Sequence, residues 1–74
     1  MYEKLKQILV EEMNINEREI TPDAEFIADL GFNSLELADL VVICEEKFDV
    51  RFDDEVLPTL VTVRDVVDYL EANA

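Results

Sequence analysis

Apolar residues recur at helical spacing in three stretches of this chain. In the first, Leu5, Ile8, Leu9 and Met13 share one face, while Glu3, Lys6, Gln7 and Glu11 look the other way, which predicts a helix over residues 2–13. In the second, Leu37, Leu40, Val41, Cys44 and Phe48 form a broad stripe suited to a core, predicting a helix over residues 34–48. In the third, Val63, Val66, Val67 and Leu70 line up opposite Asp65, Asp68 and Glu71, with Thr62 placed to cap the helix they make.

The segments between these stretches read differently. After Phe48 the chain runs Asp49-Val50-Arg51-Phe52-Asp53-Asp54-Glu55-Val56-Leu57-Pro58. Asp53 or Asp54 could cap a short helix there, with Glu55 in its favourable first turn. Pro58 restricts Leu57 and should keep that helix short or turn it into a 3₁₀ piece. Residues 14–33 form a long connection broken by Thr21-Pro22-Asp23 and Gly31. Loops of this length inside a compact unit are uncommon and often functional. Ile20, Phe26, Ile27 and Leu30 are apolar enough to pin it over the core, and Asn16-x-x-Glu19 suits a brief helical turn. Four helical segments with core faces predict an all-α four-helix bundle in one domain over residues 1–74, with a long first loop and a short third helix.

The second helix starts at the chain's most suggestive residue. With Asn33 as N-cap, Glu36 falls at the third helical position and Asn-x-x-Glu approximates a capping box. That leaves the Ser34 hydroxyl uncommitted at the first helical position, where free backbone N–H groups and the helix dipole favour an attached phosphate. Taken alone, Asn-Ser before an apolar run is more often only a cap. A further pattern shifts the balance: Leu35, Ala38 and Val42 fall on the face that Ser34 occupies, bordered by Asp39, Glu45 and Glu46. A helix that only packed a core would be polar there. Scattered surface apolars are common, but alignment with Ser34 reads as a docking surface for basic partners.

Charge supports that reading. The formal net charge is −13, from 19 acidic and 6 basic residues. It argues against nucleic acid, which needs clustered Lys and Arg, and favours salt-sensitive steering to basic surfaces. With no histidine and a single cysteine, one chain can build neither a zinc site nor a disulfide framework. Cys44 lies on the inward stripe and reads as a structural thiol. The acidic run after Phe48 lacks the spacing and central glycine of a calcium loop. No metal site is expected. Nor is catalysis: Ser34 has no histidine and no spaced lysine or aspartate to activate it. With no signal peptide, long apolar span or lipidation motif, a cytoplasmic protein without membrane insertion is expected.

The run Asp29-Leu30-Gly31-x-Asn33-Ser34-Leu35-Glu36, followed by Leu40-Val41 and Glu45-Glu46-Lys47-Phe48, resembles the acyl carrier proteins of dissociated fatty-acid and polyketide synthesis. The likeness extends through Thr62-Val63-x-Asp65-Val66-Val67-Asp68-Tyr69-Leu70 and covers nearly the whole chain. It implies a four-helix fold with 4′-phosphopantetheine esterified to Ser34, whose thiol holds acyl groups as thioesters. It implies contacts to partner enzymes from Asn33, Leu35, Glu36, Asp39, Val42, Glu45 and Glu46. Those partners would be a phosphopantetheinyl transferase, acyltransferases, ketosynthases and other basic-surfaced synthase enzymes, met by a monomer. It also implies an acyl pocket lined by Phe26, Leu40, Cys44, Phe52, Leu57, Leu60 and Val66. Leu57 and Val66 are bulkier than the small residues often found there, while Cys44 is smaller than the usual aliphatic; short or medium acyl groups are expected. The family's usual residue before the serine is Asp; Asn33 serves equally as a cap but lacks the charge. An aminoacyl, D-alanyl or peptidyl carrier shares the motif and is the nearest alternative. An unmodified acidic helical interaction module is the more distant one.

Overall fold

A computed structural model describes residues 1–73. The three periodic stretches become α1 (Tyr2–Glu11), α2 (Ser34–Phe48) and α3 (Val63–Asn73), joined by segments that hold two 3₁₀ turns, Glu17–Glu19 and Leu57–Thr59. Among the described residues there is no strand, only an isolated antiparallel bridge between Glu25 and Thr62. The all-α class is therefore as the periodicity predicts.

The expected third helix takes the 3₁₀ form, so three α-helices are present rather than four. Neither Asp53 nor Asp54 caps it; the turn follows Val56 with no side-chain cap. Pro58 has no N–H, and its ring would meet the carbonyl of Asp54 in an α-helical turn. Tighter bonds take over, from Thr59 N–H to Val56 O at 2.9 Å and from Leu60 N–H to Leu57 O at 3.2 Å.

The core stripes meet as their spacing demands. Leu5 and Leu9 of α1, Leu40 and Cys44 of α2, and Val63, Val66 and Leu70 of α3 are all fully buried, together with Phe26 from the long connection. No polar side chain is buried among the described residues. Leu37 and Phe48, expected on the core stripe, are only half-buried. α1 ends at Glu11, two residues short of Met13. Beyond it the chain turns through Asn14 at φ 57°, a left-handed conformation that asparagine tolerates better than most residues.

The connection between α1 and α2 positions the start of α2. Asn16 accepts a hydrogen bond from Arg18 N–H and opens the expected brief turn. Further on, Phe26 N–H donates to Val61 O at 3.0 Å, Val63 N–H to Ala24 O at 3.0 Å, and Arg64 N–H to Pro22 O at 2.8 Å. The Arg64 guanidinium also pairs with Asp23 at 2.9 Å. The loop is thus stitched to the entrance of α3. The buried rings of Phe26 and Phe32 lie 5.4 Å apart, and Phe32 N–H donates to Phe26 O at 2.8 Å. Between them Gly31 turns the chain at φ 74°, a conformation costly for a side-chain-bearing residue. Phe32 buried and Asn33 exposed leave Ser34 at the corner. Ile27, expected to pin this loop, instead stands 60% exposed.

Candidate functional site at the start of the second helix

Ser34 is the first residue of α2 and is exposed. The capping box is present in both directions: Glu36 N–H donates to Asn33 Oδ1 at 2.9 Å, and Asn33 N–H to Glu36 Oε1 at 3.1 Å. An α-helix leaves four N–H groups without intrahelical partners at its start. The box satisfies those of Asn33 and Glu36, which leaves the N–H groups of Ser34 and Leu35 uncommitted at the helix start that bears the Ser34 hydroxyl. Donors of this kind suit a phosphodiester on that hydroxyl.

Beside Ser34 opens a groove of about 370 Å³, lined by Ile27, Leu37, Ala38, Leu57, Pro58, Leu60 and Val61. Every lining residue except Ser34 is apolar, which fits an extended, largely apolar arm leaving the serine. Two other hollows, of about 330 and 350 Å³, flank α1 and share no residue with this one. Lysines and glutamates line both, as on an ordinary solvated helix face.

Of the positions expected to line an acyl pocket, Leu57 and Leu60 reach the groove. Phe26, Leu40, Cys44, Phe52 and Val66 are packed in the core behind it. The Cys44 thiol is pushed up to about 12, first by burial and then by the charge of Glu45, so it is held as an inert thiol. The groove walls that sequence reasoning missed are Ile27, Leu37, Ala38, Pro58 and Val61. The helical signal placed Leu37 on the core stripe and Ala38 on the Ser34 face, read there as a docking surface rather than a groove wall; Ile27, Pro58 and Val61 lie where no periodicity applies.

The residues expected to meet partners divide in two. Leu35 and Val42 are 77% and 51% exposed, and Asp39 and Glu46 are exposed beside them. Asn33 and Glu36 are engaged with each other in the box. Glu45 is half-buried, and its carboxylate accepts the Phe52 N–H at 2.9 Å. In the first turn of α3, the Asp65 carboxylate accepts N–H bonds from Val61 and Thr62, each at 3.0 Å. The Thr62 bond leads in holding its carboxyl below the usual range, opposed by desolvation and supported after that by the Val61 bond. Thr62 Oγ1 in turn accepts the Asp65 N–H at 3.2 Å, so Thr62 caps α3 as expected.

An exposed serine on an anion-favouring helix start, opening onto an apolar groove, fits a class of proteins that hold a phosphate-linked arm. Residues 3–70 match the family described as the phosphopantetheine attachment site. The chain is 40% identical over 73 residues to an acyl carrier protein of Helicobacter pylori strain G27, covering 99% of this chain and 94% of that protein. It is 38% identical to those of H. pylori strain J99 and Wolinella succinogenes, again over 99% of this chain and over 94% and 96% of theirs. The chain belongs to the acyl carrier protein family.

Proposed function

We propose that this chain carries acyl groups as thioesters on a 4′-phosphopantetheine arm joined to Ser34 Oγ, and shuttles intermediates between enzymes of fatty-acid or polyketide synthesis. The observation that carries this reading is the pairing of an exposed Ser34, beside uncommitted Ser34 and Leu35 N–H groups, with the adjoining apolar groove. When attached, the group supplies the terminal thiol on which acyl chains ride. Everything else falls to the chain. The start of α2 presents the serine oxygen and favours the phosphodiester charge. The groove shelters the apolar part of the load. Because Phe26, Leu40 and Cys44 fill the space behind the groove, its capacity suits short or medium chains.

Partner enzymes, including the transferase that modifies Ser34, acyltransferases and ketosynthases, dock on Leu35, Asp39, Val42 and Glu46 through basic surfaces steered by the net charge of −13. A few exposed apolar contacts and screened ion pairs give short-lived complexes, which suits a carrier with many customers. The 3₁₀ turn Leu57–Thr59 takes the part of the family's short third helix, as one wall of the groove. The chain works as one monomeric, cytoplasmic carrier domain; no described helix is long and apolar enough to cross a membrane.

Incubating the unmodified chain with hexanoyl-coenzyme A and a broad-specificity phosphopantetheinyl transferase tests this directly. The expected product has gained one hexanoyl-phosphopantetheine and loses only the hexanoyl group to hydroxylamine. A chain that takes no load, or whose load resists hydroxylamine, would contradict carriage as a thioester.

A further inference from the structure

We propose that Asp65 is a positioning residue for the Ser34 groove, its carboxylate fixing the backbone that holds the groove's two walls together. This rests on the carrier reading of that groove. Asp65 Oδ2 accepts the N–H groups of both Val61 and Thr62 at 3.0 Å, and Asp65 N–H returns to Thr62 Oγ1 at 3.2 Å. The exchange with Thr62 is a capping box and is all that α3 needs. The bond to Val61 lies outside the helix and adds nothing to the cap. What it holds is a wall of the groove.

Val61 lines the groove with a side chain that is 47% exposed, so burial alone does not fix it. Its carbonyl accepts the Phe26 N–H at 3.0 Å. The residue after Phe26 is Ile27, which is 60% exposed and also lines the groove. The Val61 N–H is shared between Asp65 Oδ2 and Thr59 O, each at 3.0 Å; the Asp65 branch is the one that ties Val61 to α3, and the relay continues through Phe26 N–H into the wall from the long connection. The Phe26–Val61 bond is one of the two that make the antiparallel bridge between Glu25 and Thr62; the other runs from Val63 N–H to Ala24 O at 3.0 Å. From Asp53 to Val61 the remaining hydrogen bonds of this second wall are local turn bonds, from Val56 to Asp53 O, Thr59 to Val56 O, Leu60 to Leu57 O and Val61 to Thr59 O, while Phe52 N–H ahead of them is held by Glu45 at 2.9 Å. It is attached at both ends, at Phe52 to Glu45 and at Val61 to Asp65, and only the Val61 end joins it to the wall from the long connection. A thioester lying in the groove is shielded from water only while these walls stay closed.

The test compares hexanoyl-loaded wild type, Asp65→Asn, Asp65→Ala and Ile8→Val. The last trims a buried α1 residue that does not line the groove and reports mere loosening of the fold. Asp65→Ala is expected to lose its acyl group to hydroxylamine roughly three- to tenfold faster than wild type, the range by which one hydrogen bond of ordinary net strength shifts an opening equilibrium. Asp65→Asn keeps an acceptor oxygen and should recover most of the protection. Ile8→Val should match wild type. In the unmodified proteins, the Ile27 methyl resonances should move in Asp65→Ala and stay in place in Ile8→Val. Equal lability in wild type and Asp65→Ala, or an equal rise in Ile8→Val, would overturn the proposal. Should Asp65→Ala not fold, Asp65→Ser, whose hydroxyl is one bond too short to reach the Val61 N–H, takes its place with the same expected and overturning results. If wild type itself takes no load, the carrier reading fails, while unmoved Ile27 resonances in the unmodified variants would separately refute the coupling of the walls.

Discussion

The Glu45 carboxylate accepts the backbone N–H of Phe52 at 2.9 Å, seven residues further along the chain. This bond folds the segment after α2 back against the helix that bears Ser34. The aromatic ring of Phe52 stacks on Tyr69 of α3 with centroids 4.5 Å apart, and the Tyr69 hydroxyl donates to Arg51 O at 2.7 Å. Glu45 therefore belongs to the joint between α2, α3 and the groove's far wall, whereas its neighbour Glu46 is free at the surface.

Charge reversal should separate the two roles. Glu45→Lys leaves the Phe52 N–H without its acceptor and should cost roughly 1–2 kcal/mol of stability. Glu46→Lys should leave the melting temperature near wild type and slow acyl loading at low salt, an effect that fades as salt screens it. Thermal melts beside loading kinetics at two ionic strengths check both halves. Similar melting temperatures for the two variants would remove the structural role given to Glu45.

Asn33 is expected to act on stability through its cap and on modification through its missing charge. Asn33→Ala should cost about 1 kcal/mol, and Asn33→Asp should be nearly neutral. The same Asn33→Asp change should speed transfer of phosphopantetheine by a transferase that reads a carboxylate before the serine. Denaturant melts and initial transfer rates measure the two effects independently.

Cys44 should be silent until the chain unfolds. Its proton is held more tightly in the folded protein, with the thiol at about 12 against an ordinary 9.0. The neutral thiol therefore contributes stability that is intact below pH 9 and is lost as pH rises towards 12. At pH 8 the unmodified chain should not react with Ellman's reagent, and should release one equivalent in denaturant. Prompt reaction of the folded chain would mean that the core around Leu40 and Cys44 opens readily.

Local patterns were legible in the sequence. The core faces of the three helices, the Asn33–Glu36 box, the Thr62 cap and the Asn16 turn each depend on residues within a few positions of one another. The exposure of Ser34 follows from the box. The groove was not legible in the same way, because Ile27 and Val61 come from segments without periodicity. Backbone bonds between distant parts of the chain bring them together. Glu45 lay on a face that read as a docking surface, and its bond to Phe52 depends on how the following segment folds back. Pro58 raised both a short helix and a 3₁₀ turn; with no N–H to donate, and a ring that an α-helical turn would drive into the Asp54 carbonyl, the 3₁₀ turn forms.

Attachment at Ser34 is tested most directly by intact-protein mass. Wild type and Ser34→Ala are each incubated with coenzyme A, magnesium and a broad-specificity phosphopantetheinyl transferase. The wild type is predicted to gain the mass of one phosphopantetheine and the variant none. A folded wild type that gains nothing, even with Asn33→Asp in place, would contradict carriage on this serine, as would a Ser34→Ala chain that is modified equally well.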